Sequence, residues 1–182
     1  MENGSKCLTT KHNFILQQGL SDAPLETRSA LFSALQFQPR IVTFLVLLGV
    51  VLQSPALFLI LSAILWWNAL MPQWNPFDMI YNRIFGIRPG SVLLEPAPAP
   101  RRFAQGEAGT FSLVIGTLLL LGWGRAAFLF EALLVSAIAA LVLGRFCLGS
   151  FTYHVLHGRA SFAMHTLPWV RNANDVESSC RG

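Results

Sequence analysis

The chain has 182 residues, of which 53% are hydrophobic and 12% charged, and its formal net charge is +4. Ordinary soluble domains carry about 25% charged residues, so this composition excludes a soluble core of this size, which could not hide so much apolar surface. The basic residues are spread over three segments without an RNA- or DNA-binding motif, which argues against a nucleic-acid partner and for topology signals and contacts to anionic lipid headgroups.

Residues 1–35 are expected to form a polar cytoplasmic segment. No apolar stretch precedes residue 41, so no cleaved signal peptide is expected. The first apolar run, residues 41–71, has no charge. A single helix of that length would measure about 46 Å, well beyond a hydrocarbon core of roughly 30 Å. A hairpin of helices over 37–53 and 55–72 fits better: Ser54 can cap the second helix, and Pro55 suits its first position, where a missing N–H costs nothing. The first helix is short for a span, which implies local thinning of the bilayer or packing under larger neighbours.

Asn75 to Gly86 reads as a short interfacial helix over 76–85. Asn75 caps it, Pro76 starts it, Asp78 favours the positive helix end and Gly86 terminates it. Phe77, Ile80, Tyr81 and Ile84 share one face at helical spacing, to anchor in the membrane or to fill a partner's groove, with Arg83 toward headgroups. Glu95 to Pro100 reads as a stiff extended connector.

The second hairpin is expected at 103–123 and 126–148, turning at Trp123-Gly124-Arg125. With both turns outside, twelve of the thirteen Lys and Arg lie on the inner side. By the positive-inside rule both termini are then cytoplasmic, in the inner membrane of a bacterium. Arg40, Arg83, Arg101 and Arg102 sit where headgroups would be. Trp66, Trp67, Trp74, Trp123 and Trp169 fall near the interfaces. The fold class is therefore an all-α membrane protein, with a four-helix membrane domain over 36–158 and a cytoplasmic tail over 159–182. A parallel internal repeat is also suggested, since each half reads Pro-Arg, hairpin, then Tyr-x-x-(Ile/Leu)-x-Gly, ending at Gly86 and Gly158.

Within the last span Ala132, Ser136, Ala140 and Gly144 recur every four residues. Such a stripe lets helix backbones approach closely in lipid. Packing against the third helix is the plainer reading, and docking against another protein the sharper one. Glu131 reads as the one acid inside a span, either protonated, snorkelled to the interface or bonded to Gln53, Ser54 or Trp123; a structural role is favoured over an ion or proton role, for want of a second charge. Cys147, Tyr153, His154 and His157 gather near the cytoplasmic mouth, with His154 and His157 facing alike at i, i+3 and His165 nearby. This set is weak for metal or pigment ligation and better suited to interfacial hydrogen bonding. Ser150 stands where a Cys-x-x-Cys pair needs its second thiol, so dithiol exchange within this motif is excluded, while a single reactive thiol or a packed cysteine remains open. With Cys7, Cys147 and Cys180 all on the inner side, no disulfide is expected. No catalytic set, metal site or cofactor is assigned; bound lipid is expected, and pigment is an open alternative.

Pro100-Arg-Arg-Phe-Ala-Gln105 and Phe146-Cys-Leu-Gly-Ser-Phe-Thr-Tyr153 resemble a bacterial family of small four-helix membrane proteins known only as a domain of unknown function. That family has a PRFAQ-like entry to its third helix and an FCxGC-then-Tyr exit from its fourth, and the resemblance covers about residues 36–158. It is silent on activity, although association of some relatives with thioredoxin-like or sulfurtransferase proteins implies thiol chemistry at Cys147. Ser150 departs from the pattern and weakens a two-cysteine reading. The expected function is a non-enzymatic accessory subunit that packs against a larger respiratory or photosynthetic membrane complex. The alternative is a small transporter or thiol-handling protein that uses Cys147.

Overall fold

The computed structural model describes residues 2–20, 27–87 and 91–170, with residues 2–9 described by backbone alone. Among these all the regular secondary structure is helical, without a strand. Cys180 and the second half of the expected C-terminal tail lie outside the described residues, as does the side chain of Cys7.

Three helical stretches are long and apolar enough to cross a membrane: Arg28–Leu52, Ala99–Leu120 and Gly124–Val142. The first joins α2 (Arg28–Leu35) to α3 (Phe37–Leu52). The others are α6 (Ala99–Leu120) and α7 (Gly124–Val142). Helix α4 (Pro55–Leu70) is apolar but has 16 residues, about 24 Å of helix against a core of roughly 30 Å. Among the described residues three helical stretches are thus long and apolar enough to span, where four spans were expected.

The first turn follows from its local chemistry. Gln53 takes a left-handed conformation (φ 45°) at the end of α3, and the Ser54 N–H donates to Gly49 O at 3.2 Å. The Ser54 hydroxyl accepts from Leu57 N at 3.4 Å and Pro55 opens α4, so one residue ends one helix and the next two start another. The second turn centres on Gly122, at φ 73°, rather than on Gly124. Glycine has no Cβ to oppose that conformation, which closes the hairpin two residues earlier than expected.

Helix α6 is the axis of the bundle, and it starts four residues earlier than expected. Pro98 caps it and Pro100 lies in its first turn, so the prolines read as a connector initiate a helix instead. Its tightest neighbour is α4, which runs antiparallel to it. A Cβ at Gly109 would lie 2.9 Å from Trp66, and one at Gly116 would lie 2.9 Å from Leu59. Ser112 between them is fully buried. The close helix approach thus uses small residues of α6, not the stripe on α7.

Helix α7 ends at Val142, not at 148. Arg145 is left-handed (φ 53°), and a Cβ at Gly144 would fall 2.6 Å from Ala140 O. The chain unwinds there and restarts as α8 (Leu148–Leu156), followed by α9 (Ala160–His165). Helix α5 (Pro76–Ile84) lies below α4 after a single 3-10 turn at Pro72–Trp74.

Two apolar cores result. One, built from Val46, Phe58, Leu61, Leu65, Ile115 and Leu134, fills the bundle. The other joins Phe14 and Ile15 of α1 (Glu2–Gln17) to Phe32, Leu35, Tyr81, Leu94 and Cys147. The N-terminal segment expected as a polar tail therefore supplies part of a core at the end of the bundle.

Candidate functional site

Cys147 occupies the N-cap position of α8, in extended backbone, and its side chain is buried. Its N–H donates to Gln17 Oε1 at 2.8 Å, which ties α1 to the break between α7 and α8. The Ser150 hydroxyl stands 3.3 Å from both Cys147 Sγ and the Pro100 carbonyl, with one proton to share between them. Among the described residues Cys147 is a free thiol.

The thiol borders two cavities. One of about 180 Å³ is lined by Ala104, Glu107, Phe111, Leu134, Ile138 and Gly149. The other, of about 80 Å³, is lined by Gln38, Arg101 and Gln105 as well as Cys147. The buried Gln105 Oε1 has no hydrogen-bond partner among the described residues. Gly149 allows α8 to meet α6, because a Cβ there would lie 2.7 Å from Ala104 Cα and from Glu107 Oε2. The carboxylate thus rests on the first turn of α8, where the helix dipole favours negative charge. Glu107 is a second acid within a span, so Glu131 is not the one acid there.

The two histidines diverge. The His154 side chain is buried, with Nε2 at 3.1 Å from Gln17 O; a carbonyl accepts, so Nε2 carries the proton, and the buried Nδ1 has no partner among the described residues. His157 is exposed, donates through Nδ1 to Tyr153 O at 2.8 Å, and stacks on the Tyr153 ring at 4.0 Å. The expectation that they face alike fails because α8 turns His154 toward α1. Among the described residues no group of three His, Cys, Asp or Glu is placed to hold a metal ion.

Glu131 is 1% exposed, and both its oxygens accept from Gln53 Nε2 at 3.1 Å. This joins the turn of the first hairpin to the first part of α7. The inner face of α7 consists of Ala127, Glu131, Leu134 and Ile138. Ala132 and Ser136 face outward, Ala140 is half-buried, and Gly144 is exposed beyond the helix end. The plainer reading of the stripe, packing against α6, is thereby corrected: the inward positions are shifted by one or two residues from it.

The arginines separate as well. Arg101 is buried, with Nη2 at 2.7 Å from Asp78 Oδ1 and 3.0 Å from Gln38 Oε1. Gln38 Oε1 also accepts from Gln105 at 2.9 Å and Asn75 at 3.3 Å, and Asn75 Nδ2 donates to Asp78 Oδ2 at 2.9 Å. Arg101 is therefore held inside the protein and not at a headgroup, and Asp78 is its counter-ion as well as a first-turn acid of α5. Arg40 and Arg83 are exposed. Arg102 is half-buried and donates from Nε to Ala69 O at 2.7 Å. On α5, Phe77 and Tyr81 turn inward, whereas Ile80 and Ile84 are exposed, so the expected single face is divided between the protein and its surroundings.

Sequence reasoning missed Gln17, Gln38 and Gln105, whose partners lie far along the chain. Glu107 was visible as an acid within the expected third helix, and Gly109, Ser112 and Gly116 as small residues on one of its faces.

Comparison with curated proteins gives no match, and neither does comparison with solved structures. Residues 33–157, most of the chain, match the family described as Domain of unknown function (DUF4395), and the chain belongs to that family.

Proposed function

We propose that the chain is a non-enzymatic membrane subunit that docks against a larger bacterial membrane complex through the outer face of α7. The observation that carries this reading is the outward direction of Ala132 and Ser136, which are both exposed among the described residues. They lie among the exposed side chains of Phe128, Leu129 and Leu133. Large knobs beside small holes suit a second helix in lipid, where close packing drives association. The Ser136 hydroxyl bonds to Ala132 O at 2.7 Å, so it enters such a contact without an unmet donor.

In this reading α4 is a fourth, short span shielded by α6, both termini are cytoplasmic, and the complex is respiratory or photosynthetic. The exposed Ile80 and Ile84 lie on lipid or on the partner, and bound lipid or pigment belongs to the assembly. A parallel repeat is supported by two nine-residue helices, α5 and α8, one after each hairpin. Each carries a tyrosine that meets a phenylalanine from the start of its own half, Tyr81 with Phe37 at 5.5 Å and Tyr153 with Phe103 at 5.8 Å.

The test is purification of tagged protein from its native membranes in mild detergent, with co-purifying proteins identified by mass spectrometry. Ala132→Leu with Ser136→Leu fills the holes on an exposed face. It should release a stoichiometric partner while helicity and melting stay unchanged. Recovery of the same partner in the same yield would refute docking by this face.

A second reading, a thiol-handling protein, draws on the position of Cys147 between two cavities at the start of a helix. Cys147→Ser should then abolish thiol-dependent transfer or transport by reconstituted protein, and full activity in that variant would remove the thiol from the mechanism.

A further inference from the structure

A groove of about 560 Å³ runs between Trp66, Ala69 and Leu70 of α4 and Arg102, Phe103, Gly106 and Phe111 of α6, with Tyr153 of α8 at its side. Its volume falls within the roughly 300–1,000 Å³ of small-molecule sites. The walls are largely apolar along helices that belong to the membrane region, and the charge is confined to two positions. Arg102 lies in the first turn of α6, at the end of a span. Its Nε bond to Ala69 O fixes the guanidinium, and among the described residues its two Nη groups have no partner. The neighbouring Arg101 is consumed by Asp78. Glu107, the other charged residue of the groove, lies five residues further along α6, about 7.5 Å deeper. One of its oxygens rests against the first turn of α8. The end of the groove therefore keeps a net positive charge.

We infer that this groove binds one anionic glycerophospholipid, with its phosphodiester on the Arg102 Nη groups and the Tyr153 hydroxyl and an acyl chain along Gly106 and Phe111. A planar guanidinium fork matches two phosphate oxygens, and an indole such as that of Trp66 suits the boundary between headgroup and chain. Gly106 makes the groove roomy rather than tight: a Cβ there would meet nothing closer than 3.8 Å.

The test is native mass spectrometry of the full chain in detergent, titrated with phosphatidylglycerol and with phosphatidylcholine of the same acyl chains. The wild type should bind one phosphatidylglycerol roughly fivefold more tightly than phosphatidylcholine. Arg102→Gln should bring the two within about twofold, whereas Arg159→Gln, on an exposed arginine between α8 and α9, should leave the ratio unchanged. Gly106→Leu fills the groove without touching the Arg102 to Ala69 bond, and it should weaken both lipids with no change in melting. Equal wild-type affinities, a preference retained in Arg102→Gln, or undiminished lipid binding in Gly106→Leu would overturn the site. Displacement of the lipid by glycerol 3-phosphate at equal concentration would also overturn it, because a headgroup pocket alone would then suffice.

Discussion

Asp78→Asn tests whether the end of the bundle is held by a buried charge pair. The carboxylate accepts from Arg101 at 2.7 Å through one oxygen and from Asn75 at 2.9 Å through the other. The amide has nearly the same shape but replaces one oxygen by a donor. Turned one way that donor faces the guanidinium, and turned the other it faces the Asn75 amide, so in either rotamer donor meets donor. Arg101, 6% exposed, is also left as a buried cation without its counter-ion. Removing one member of a buried pair costs about 3–5 kcal/mol. At roughly 2–4 °C per kcal/mol for a chain of this size, the midpoint of thermal aggregation in detergent should fall by roughly 6–20 °C. Arg83→Gln should stay within about 0.5 kcal/mol of wild type. Asp78→Leu combined with Arg101→Met removes both charges and should recover much of the loss, so that the double-mutant cycle shows strong coupling. A midpoint for Asp78→Asn within about 2 °C of wild type would refute the reasoning, since Arg101 would then be solvated like a surface residue.

Ser54→Ala removes the cap at the start of α4 and should cost about 1 kcal/mol, with faster hydrogen exchange at the Leu57 amide; unchanged exchange there would show that the 3.4 Å contact contributes nothing. Gly149→Val drives a side chain into Ala104 and Glu107 and should cost about 1–3 kcal/mol as α8 lifts from α6. In a background with Cys7→Ser and Cys180→Ser, the same change should speed maleimide labelling of Cys147, and labelling as slow as in the parent would count against Gly149 as the contact that keeps the thiol covered.

What was legible in the sequence was local. Ser54 and Pro55 fix the first turn because a cap and a first-turn proline act within three residues, and the same holds for Asn75 and Pro76, where the Asn75 side chain accepts from Phe77 N at 3.0 Å. The apolar runs identified the membrane region because burial in lipid is a property of a segment and not of its partners. Direction around each helix was harder to read. On α7 the spacing of Ala132, Ser136 and Ala140 is real, yet Ala132 and Ser136 face away from the bundle, since the inward face includes Glu131, which reaches Gln53 on another hairpin. On α5 the amphipathic face is divided because Tyr81 packs on Phe37 while Ile80 and Ile84 stay outside. Gly144 belonged to the same apparent stripe, and its role is instead to let the chain leave α7 close to Ala140 O.

The polar residues divide into two layers with different consequences. At one end of the bundle Gln53 and Glu131 form a small contact between hairpins. At the other end Gln38, Asn75, Asp78, Arg101 and Gln105 draw together α3, α5 and α6. The second layer lies beside the cavity that reaches Cys147, and both Gln38 and Arg101 line that cavity. Cys147 also borders the larger, mostly apolar cavity, and Ala104 and Ala108 of α6 line both. Gly149, two residues after Cys147, packs closely on Ala104 of α6, two residues after Arg102, so the proposed lipid at Arg102 would act on the same short stretch of α6 that covers the thiol. Lipid occupancy and Cys147 labelling should therefore change together: phosphatidylglycerol should slow labelling in the wild type but not in Arg102→Gln. Equal slowing in both would separate the groove from the thiol and leave the two sites independent.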